Sequence, residues 1–179
     1  MMAGHFAAAA AMKAREPRVP TWAFVVGVQL CDILFAIFVA AGIERFTKTP
    51  GQAAGIRLDF IDWSHSLVTS LLWAALFAAL FWRRGRVVML WCAVAVLSHF
   101  VLDVVMHPHD MVLWPHASLH FGLGLWQERP LWWFVELAFV AACLGYYLVR
   151  RRRPIGAWAW VGLATVVVLH VLNSPWLQR

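Results

Sequence analysis

Charge is what this sequence has least of. Only 13% of its 179 residues are Asp, Glu, Lys or Arg, and 63% are hydrophobic. A soluble domain carries roughly a quarter charged residues, so a water-soluble globular class is excluded. Cysteine is also scarce. Cys31, Cys92 and Cys143 all lie in apolar stretches and form no CxxC pair. That argues against a disulfide framework and fits small buried core residues. A secretory signal is missing as well, because Lys13, Arg15 and Arg18 follow the alanine-rich run instead of preceding it. Residues 1–20 therefore read as a cytoplasmic tail, poorly ordered or lying on the membrane. No internal repeat is evident, and residues 21–179 read as one domain.

What the sequence has instead is long apolar runs. Five of them, near 22–43, 63–82, 87–106, 131–149 and 155–172, approach the roughly 20 helical residues that cross a hydrocarbon core of ~30 Å. Backbone polar groups cannot stay unpaired in lipid, so such runs are helical. The expected fold is an all-α, polytopic bundle of about five transmembrane helices. Twelve Trp in a short chain agree, because indole rings favour the membrane interface. The net charge of +6 is explained by topology and not by nucleic acid, which needs an exposed basic face. With the N-terminus inside, ten of the fifteen basic residues (Lys13, Arg15, Arg18, Arg83, Arg84, Arg86 and those at 150–153) fall on the inner side. The positive-inside rule thus favours a cytoplasmic N-terminus and an outer C-terminus.

Two outer segments are long. Residues 44–62 contain Pro50, Gly51 and Gly55 and read as irregular. Residues 107–130 hold three prolines and four of the eight histidines, and a loop of that length without periodicity is usually functional. It is expected to lie on the membrane surface or to fold back over the helices.

Ionisable residues within membrane helices are costly, and each is a functional candidate. Asp32 lies ten residues into the first run, about 15 Å deep at 1.5 Å per residue. His99 and Asp103 in Ser98-His99-Phe100-Val101-Leu102-Asp103 are spaced i, i+4 and share one helical face. They can ligate one metal, or Asp103 can orient His99. His65 opens the second span, in Asp62-Trp63-Ser64-His65-Ser66-Leu67, where Asp62 and Ser64 also suit helix N-caps. Asp32, His65, His99 and Asp103 thus fall in the outer half of three helices. His116 and His120 form another i, i+4 pair if their stretch is helical. Glu136 and His170 approach the same side on the last two helices and could support the site. His and carboxylate ligands suit zinc, iron or manganese, and a catalytic zinc keeps a position open for water. Asp62 or His107 could then act as general base or acid.

These elements resemble a known family. Trp63-Ser64-His65-Ser66-Leu67 is similar to the THSL element of the YdjM-like bacterial inner-membrane proteins, which are described as metal-dependent hydrolases. Ser98 to Asp103 resembles their HxxxD helix end, and Leu113-Trp114-Pro115 resembles the LWP that follows. Asp32 would stand for the acid of their first helix. Here Gln29-Leu30-Cys31-Asp32 offers one acid where the family has a Pro-Asp-x-Asp pattern, and Phe60-Ile61-Asp62 replaces its His-Arg. The resemblance covers roughly residues 25–120. It implies a divalent metal, most simply zinc, and hydrolysis of an ester or phosphoester, with the buried position favouring a membrane lipid or lipid-linked substrate. Two other readings stay open: a haem- or metal-binding protein, with His65 and His170 as axial ligands, and a small transporter using the intramembrane acids as relays.

Overall fold

The computed structural model describes residues 1–49, 56–151, 154 and 156–177. Pro50, Gly51 and Gly55 of the expected irregular loop, Arg152 and Arg153 of the inner basic run, Ile155 at the expected start of the last span, and Arg179 lie outside the described residues.

The chain is mainly helical, as expected of the apolar runs. Its helices are α1 (Met2–Arg15), α2 (Thr21–Val28), α3 (Leu30–Ala40), α4 (Asp62–His65), α5 (Leu67–Ala79), α6 (Arg86–Met106), α7 (Leu131–Arg150) and α8 (Ala157–Leu172). Two helices, α6 and α7, are long and apolar enough to cross a membrane alone. The α2–α3 pair passes the same test as one span bent by 53°, while α5 and α8 are shorter apolar helices. Among the described residues the structure therefore carries two or three full-length candidate spans.

The first span is broken and not continuous. Gln29 leaves the helical region at φ −113°, ψ 4°, and its amide turns back to Val26 and Gly27. A helix end leaves its last carbonyls and first amides without helical partners. One consequence is chemical. The Val28 carbonyl at the break accepts from His99 Nδ1 at 2.7 Å. Another is electrostatic. Asp32 falls in the first turn of α3, where a carboxylate is favoured by the helix dipole.

Residues 2–15 are not a loose tail. The helix α1 packs mainly on α7, and also on α2, α6 and α8. Its small side chains allow this: Ala3 and Ala7 are fully buried, so the backbone can approach its neighbours closely. Glu136 of α7 accepts from the Gly4 amide at 3.0 Å, satisfying one of the unpaired first-turn N–H groups of α1. The core between α2, α5 and α6 holds Phe24, Val28, Phe77, Cys92, Ala95 and Val96. Gly27 makes that contact close, since a Cβ there would stand 2.9 Å from Ala95 Cβ.

Two short antiparallel ribbons add to the all-α expectation. They are β1 (Arg45–Lys48) with β2 (Ile56–Phe60), and β3 (Met111–Val112) with β4 (His120–Phe121). The second ribbon organises the 107–130 loop, which does fold back over the bundle. Leu113 O accepts from Val68 N at 2.9 Å, Val104 O from Leu123 N at 2.8 Å and His107 O from Gly124 N at 2.7 Å. Gly122 makes the last of these possible. It sits at φ +151°, and a Cβ there would collide with the His107 and Pro108 carbonyls. Gly122→Ala is therefore expected to cost about 1–3 kcal/mol, the usual range for overpacking, and to displace His107. Thermal melting of the purified variant checks the first, and the NMR shifts of the His107 ring check the second.

Candidate metal centre

Three elements converge on one buried cluster. The broken α2–α3 span brings Asp32, the short α4 brings His65, and α6 brings His99 and Asp103. His99 Nε2 lies 2.9 Å from Asp103 Oδ2, 3.7 Å from Asp32 Oδ1 and 3.3 Å from His65 Nε2. His65 Nε2 lies 3.7 Å from both Asp32 Oδ1 and Asp103 Oδ2. Donor atoms of Asp32, His65 and His99 all fall within 4.8 Å of one another. His107, just past the end of α6, adds its Nε2 at 3.7 Å from Asp103 Oδ2. His65, His99, Asp103 and His107 are buried, whereas the Asp32 side chain is 45% exposed. The cluster therefore opens on the Asp32 side.

The hydrogen bonds behind the rings fix which nitrogen faces the cluster. The partner of His99 Nδ1 is the Val28 carbonyl, which only accepts, so Nδ1 carries the hydrogen and Nε2 is bare in the neutral ring. His107 Nδ1 faces Asp110 Oδ1 at 3.0 Å and donates in the same way. The His65 ring is set through a relay. Glu44 accepts from the amides of Trp63 and Ser64 and, at 2.7 Å, from Ser64 Oγ. With its proton committed to Glu44, Ser64 Oγ accepts from His65 Nδ1 at 2.7 Å. Three imidazoles thus turn bare Nε2 atoms toward Asp32 and Asp103. Lone pairs of two rings 3.3 Å apart, flanked by two carboxylates, repel unless a cation lies among them. A proton on one ring relieves one contact. A divalent cation relieves them together, and a ligating His whose other nitrogen donates to an oriented acceptor is the usual pattern at a metal. The residues present therefore fit a divalent ion.

The relay gives a direct prediction. Ser64→Ala leaves the backbone and α4 in place but frees the His65 ring, and it should weaken metal binding by roughly 10–100-fold, as loss of an outer partner does. Competition with a coloured chelator measures it, and unchanged affinity would remove the relay from the account.

Two residues of the site were not singled out from the sequence. His5 of α1 is buried, stacks on His99 with ring centroids 4.0 Å apart, and contacts Asp103 Oδ1 at 3.1 Å. With His99 and Asp103 it makes a second compatible donor group. The signal was a lone histidine in a run of alanines, masked by the reading of that run as a tail. Glu44 lies beyond the first span, and nothing in its spacing ties it to Ser64.

Other candidates sit elsewhere. Asp62 is buried but accepts from the His116 amide at 2.7 Å, and it lines a cavity of about 430 Å³ with Asp110, His109, His116 and His120. The N-cap of α5 is Ser66, not Asp62 or Ser64. His116 has φ +63° and lies in a turn, and His120 begins β4. The stretch is not helical, so the i, i+4 pairing of these histidines does not arise. Glu136 and His170 face each other at 3.4 Å, apart from the cluster, with His170 stacked on Trp133. Through Gly4 they hold the turn of α1 that carries His5. His65 and His170 thus serve different groups, His65 meeting Ser64 and His99 and His170 meeting Glu136.

The family model described as YdjM inner membrane protein matches residues 1–176. No curated protein and no solved structure matches the chain.

Proposed function

Because the chain belongs to the YdjM inner membrane protein family, we propose that it is a metal-dependent hydrolase of membrane lipids or lipid-linked substrates. Asp32, His65, His99 and Asp103 would hold the ion, with His5 steadying Asp103. The observation that carries this reading is the set of bare Nε2 atoms turned on two carboxylates, each ring oriented from behind. The donor set suits zinc first and iron or manganese next. An ion in such a site supplies an acidified water and polarises the bond to be cut.

The chain's own residues would do the rest. His107 Nδ1 donates to Asp110, leaving Nε2 free beside Asp103 to take up or return a proton. Asp110 also lines the cavity that Asp62 lines, so the His107–Asp110 pair would pass protons between the cluster and water. Asp62, pinned to the His116 amide, orders that wall and is the second candidate for acid–base work. The opening at Asp32 supports lateral entry from lipid, because Ile33, Ala36 and Ile37 beside it on α3 expose apolar surface. The five apolar segments, with α2 and α3 joined as one, support five crossings with the basic α1–α2 and α5–α6 connections on the cytoplasmic side, whereas the start of α1 lies at the cluster, where the Met1 amino group is 3.6 Å from Asp103 Oδ1.

The test is lipid mass spectrometry after incubating metal-loaded protein with a bacterial lipid extract. The expected result is loss of one ester or phosphoester lipid class with appearance of its product. A chelator should abolish it, and so should His107→Ala with its metal retained. Unchanged lipids under zinc, manganese and iron would overturn the hydrolase reading.

A further inference from the structure

At the opposite end of α6 from the metal cluster lies a second feature, a groove of about 370 Å³ lined by Arg18, Arg84, Gly85, Arg86, Val87 and Val88. Asp103 is seventeen residues along α6 from Arg86, so about 25 Å separate the two, most of a hydrocarbon thickness. The groove is built by two connections. Arg18 comes from the turn between α1 and α2, and Arg84 and Arg86 flank the turn between α5 and α6.

The charge here is one-sided. Lys13 and Arg15 in the last turn of α1, with Arg18, Arg83, Arg84 and Arg86, gather at these two connections with one acid, Glu16. Glu16 is already engaged, since Arg18 donates to both its oxygens at 2.7 Å, and that pairing holds its carboxyl down to about 2. Arg84 and Arg86 are exposed, and no described acid pairs with them. Around the groove the surface turns apolar: Trp22, Leu80, Trp82 and Val87 are all exposed. Exposed indoles beside aliphatic residues mark the headgroup level of a bilayer. A cationic groove at that level, with apolar walls below it, matches one kind of molecule, with an anionic head and hydrocarbon tails.

We propose that the groove between the α1–α2 and α5–α6 connections binds the phosphate of an anionic phospholipid headgroup, with Arg84 and Arg86 as its charged contacts. The occupant is a structural lipid and not the substrate, because the groove lies at the far end of α6 from the cluster. Each basic residue near an anionic membrane surface is worth roughly fivefold in affinity, and the effect falls as salt shortens the screening length.

Native mass spectrometry of the full chain, released from nanodiscs containing both phosphatidylglycerol and phosphatidylcholine, tests the proposal. Wild-type protein should retain phosphatidylglycerol over phosphatidylcholine. The Arg84→Gln/Arg86→Gln double variant should lose up to about 25-fold of that preference while keeping its metal content, which shows that it is folded. Arg84→Lys/Arg86→Lys should keep most of it. Equal retention of both lipids by the wild type, or an undiminished preference in the double Gln variant, would overturn the assignment. So would a phosphatidylglycerol preference that inorganic phosphate at millimolar concentration removes in full.

Discussion

Replacing His99 with alanine is expected to abolish the response of the protein to metal. His99 is fully buried and is the centre of the cluster, within 3.7 Å of Asp32, His65 and Asp103. A ligand at a hundredfold excess over its Kd stabilises a native state by about 2.7 kcal/mol. At roughly 2–4 °C per kcal/mol for a chain of this size, saturating metal should raise the melting temperature of the wild type by about 5–10 °C. His99→Ala should show no such rise. It should also melt lower without metal, because the Val28 carbonyl loses its donor and a buried unsatisfied polar group costs about 1–3 kcal/mol. His99→Gln guards against a trivial loss of fold. It can still donate to Val28 but offers no imidazole to the ion, so it should fold and still not respond. A metal-induced rise of wild-type size in both variants would remove His99 from the site.

Asp103→Asn should have the widest consequences of any single change. Its two oxygens serve different partners: Oδ1 meets His5, and Oδ2 meets His65, His99 and His107. Asparagine keeps the volume and removes the shared negative charge. Loss of an outer partner alone costs 10–100-fold in metal affinity, so loss of this ligand should cost at least on the order of a hundredfold. The second effect is at a distance from the ion. His5 is one of three polar anchors at the start of α1, with the Met1 amino group 3.6 Å from the same Asp103 oxygen and the Gly4 amide on Glu136. With that anchor weakened, amides of residues 2–15 should exchange hydrogen faster while those of α6 and α7 stay protected. His5→Ala should speed the same exchange with a smaller loss of metal affinity. If Asp103→Asn leaves both affinity and exchange unchanged, the cluster is not organised as described.

The parts of the site that spacing reveals were legible. His99 and Asp103 share a helix, and four residues of separation are enough to place them on one face. Asp32 and His65 were legible by cost, because an ionisable group in an apolar run needs a reason. What could not be read was anything set by the path of the chain between elements. The break at Gln29 has no proline or glycine at the hinge, and it changes Asp32 from a mid-helix acid into a first-turn one. The alanine run of α1 lacks the bulk that marks a buried helix, and smallness is what lets it pack, so His5 stayed hidden. His116 and His120 show the opposite error. Their helical spacing was real in the sequence, but a left-handed residue and a strand pairing set their geometry. Glu44 and Ser64 meet only because the β1–β2 ribbon folds back, and no local pattern encodes that return.

Above all else, we propose that this cluster holds a divalent ion. Elemental analysis of the purified wild-type protein, as isolated and after incubation with zinc, manganese or iron followed by desalting, tests it most directly. About one tightly held ion per chain is expected, absent from His99→Gln treated in parallel. A wild-type protein that is folded yet metal-free after every incubation would contradict the account.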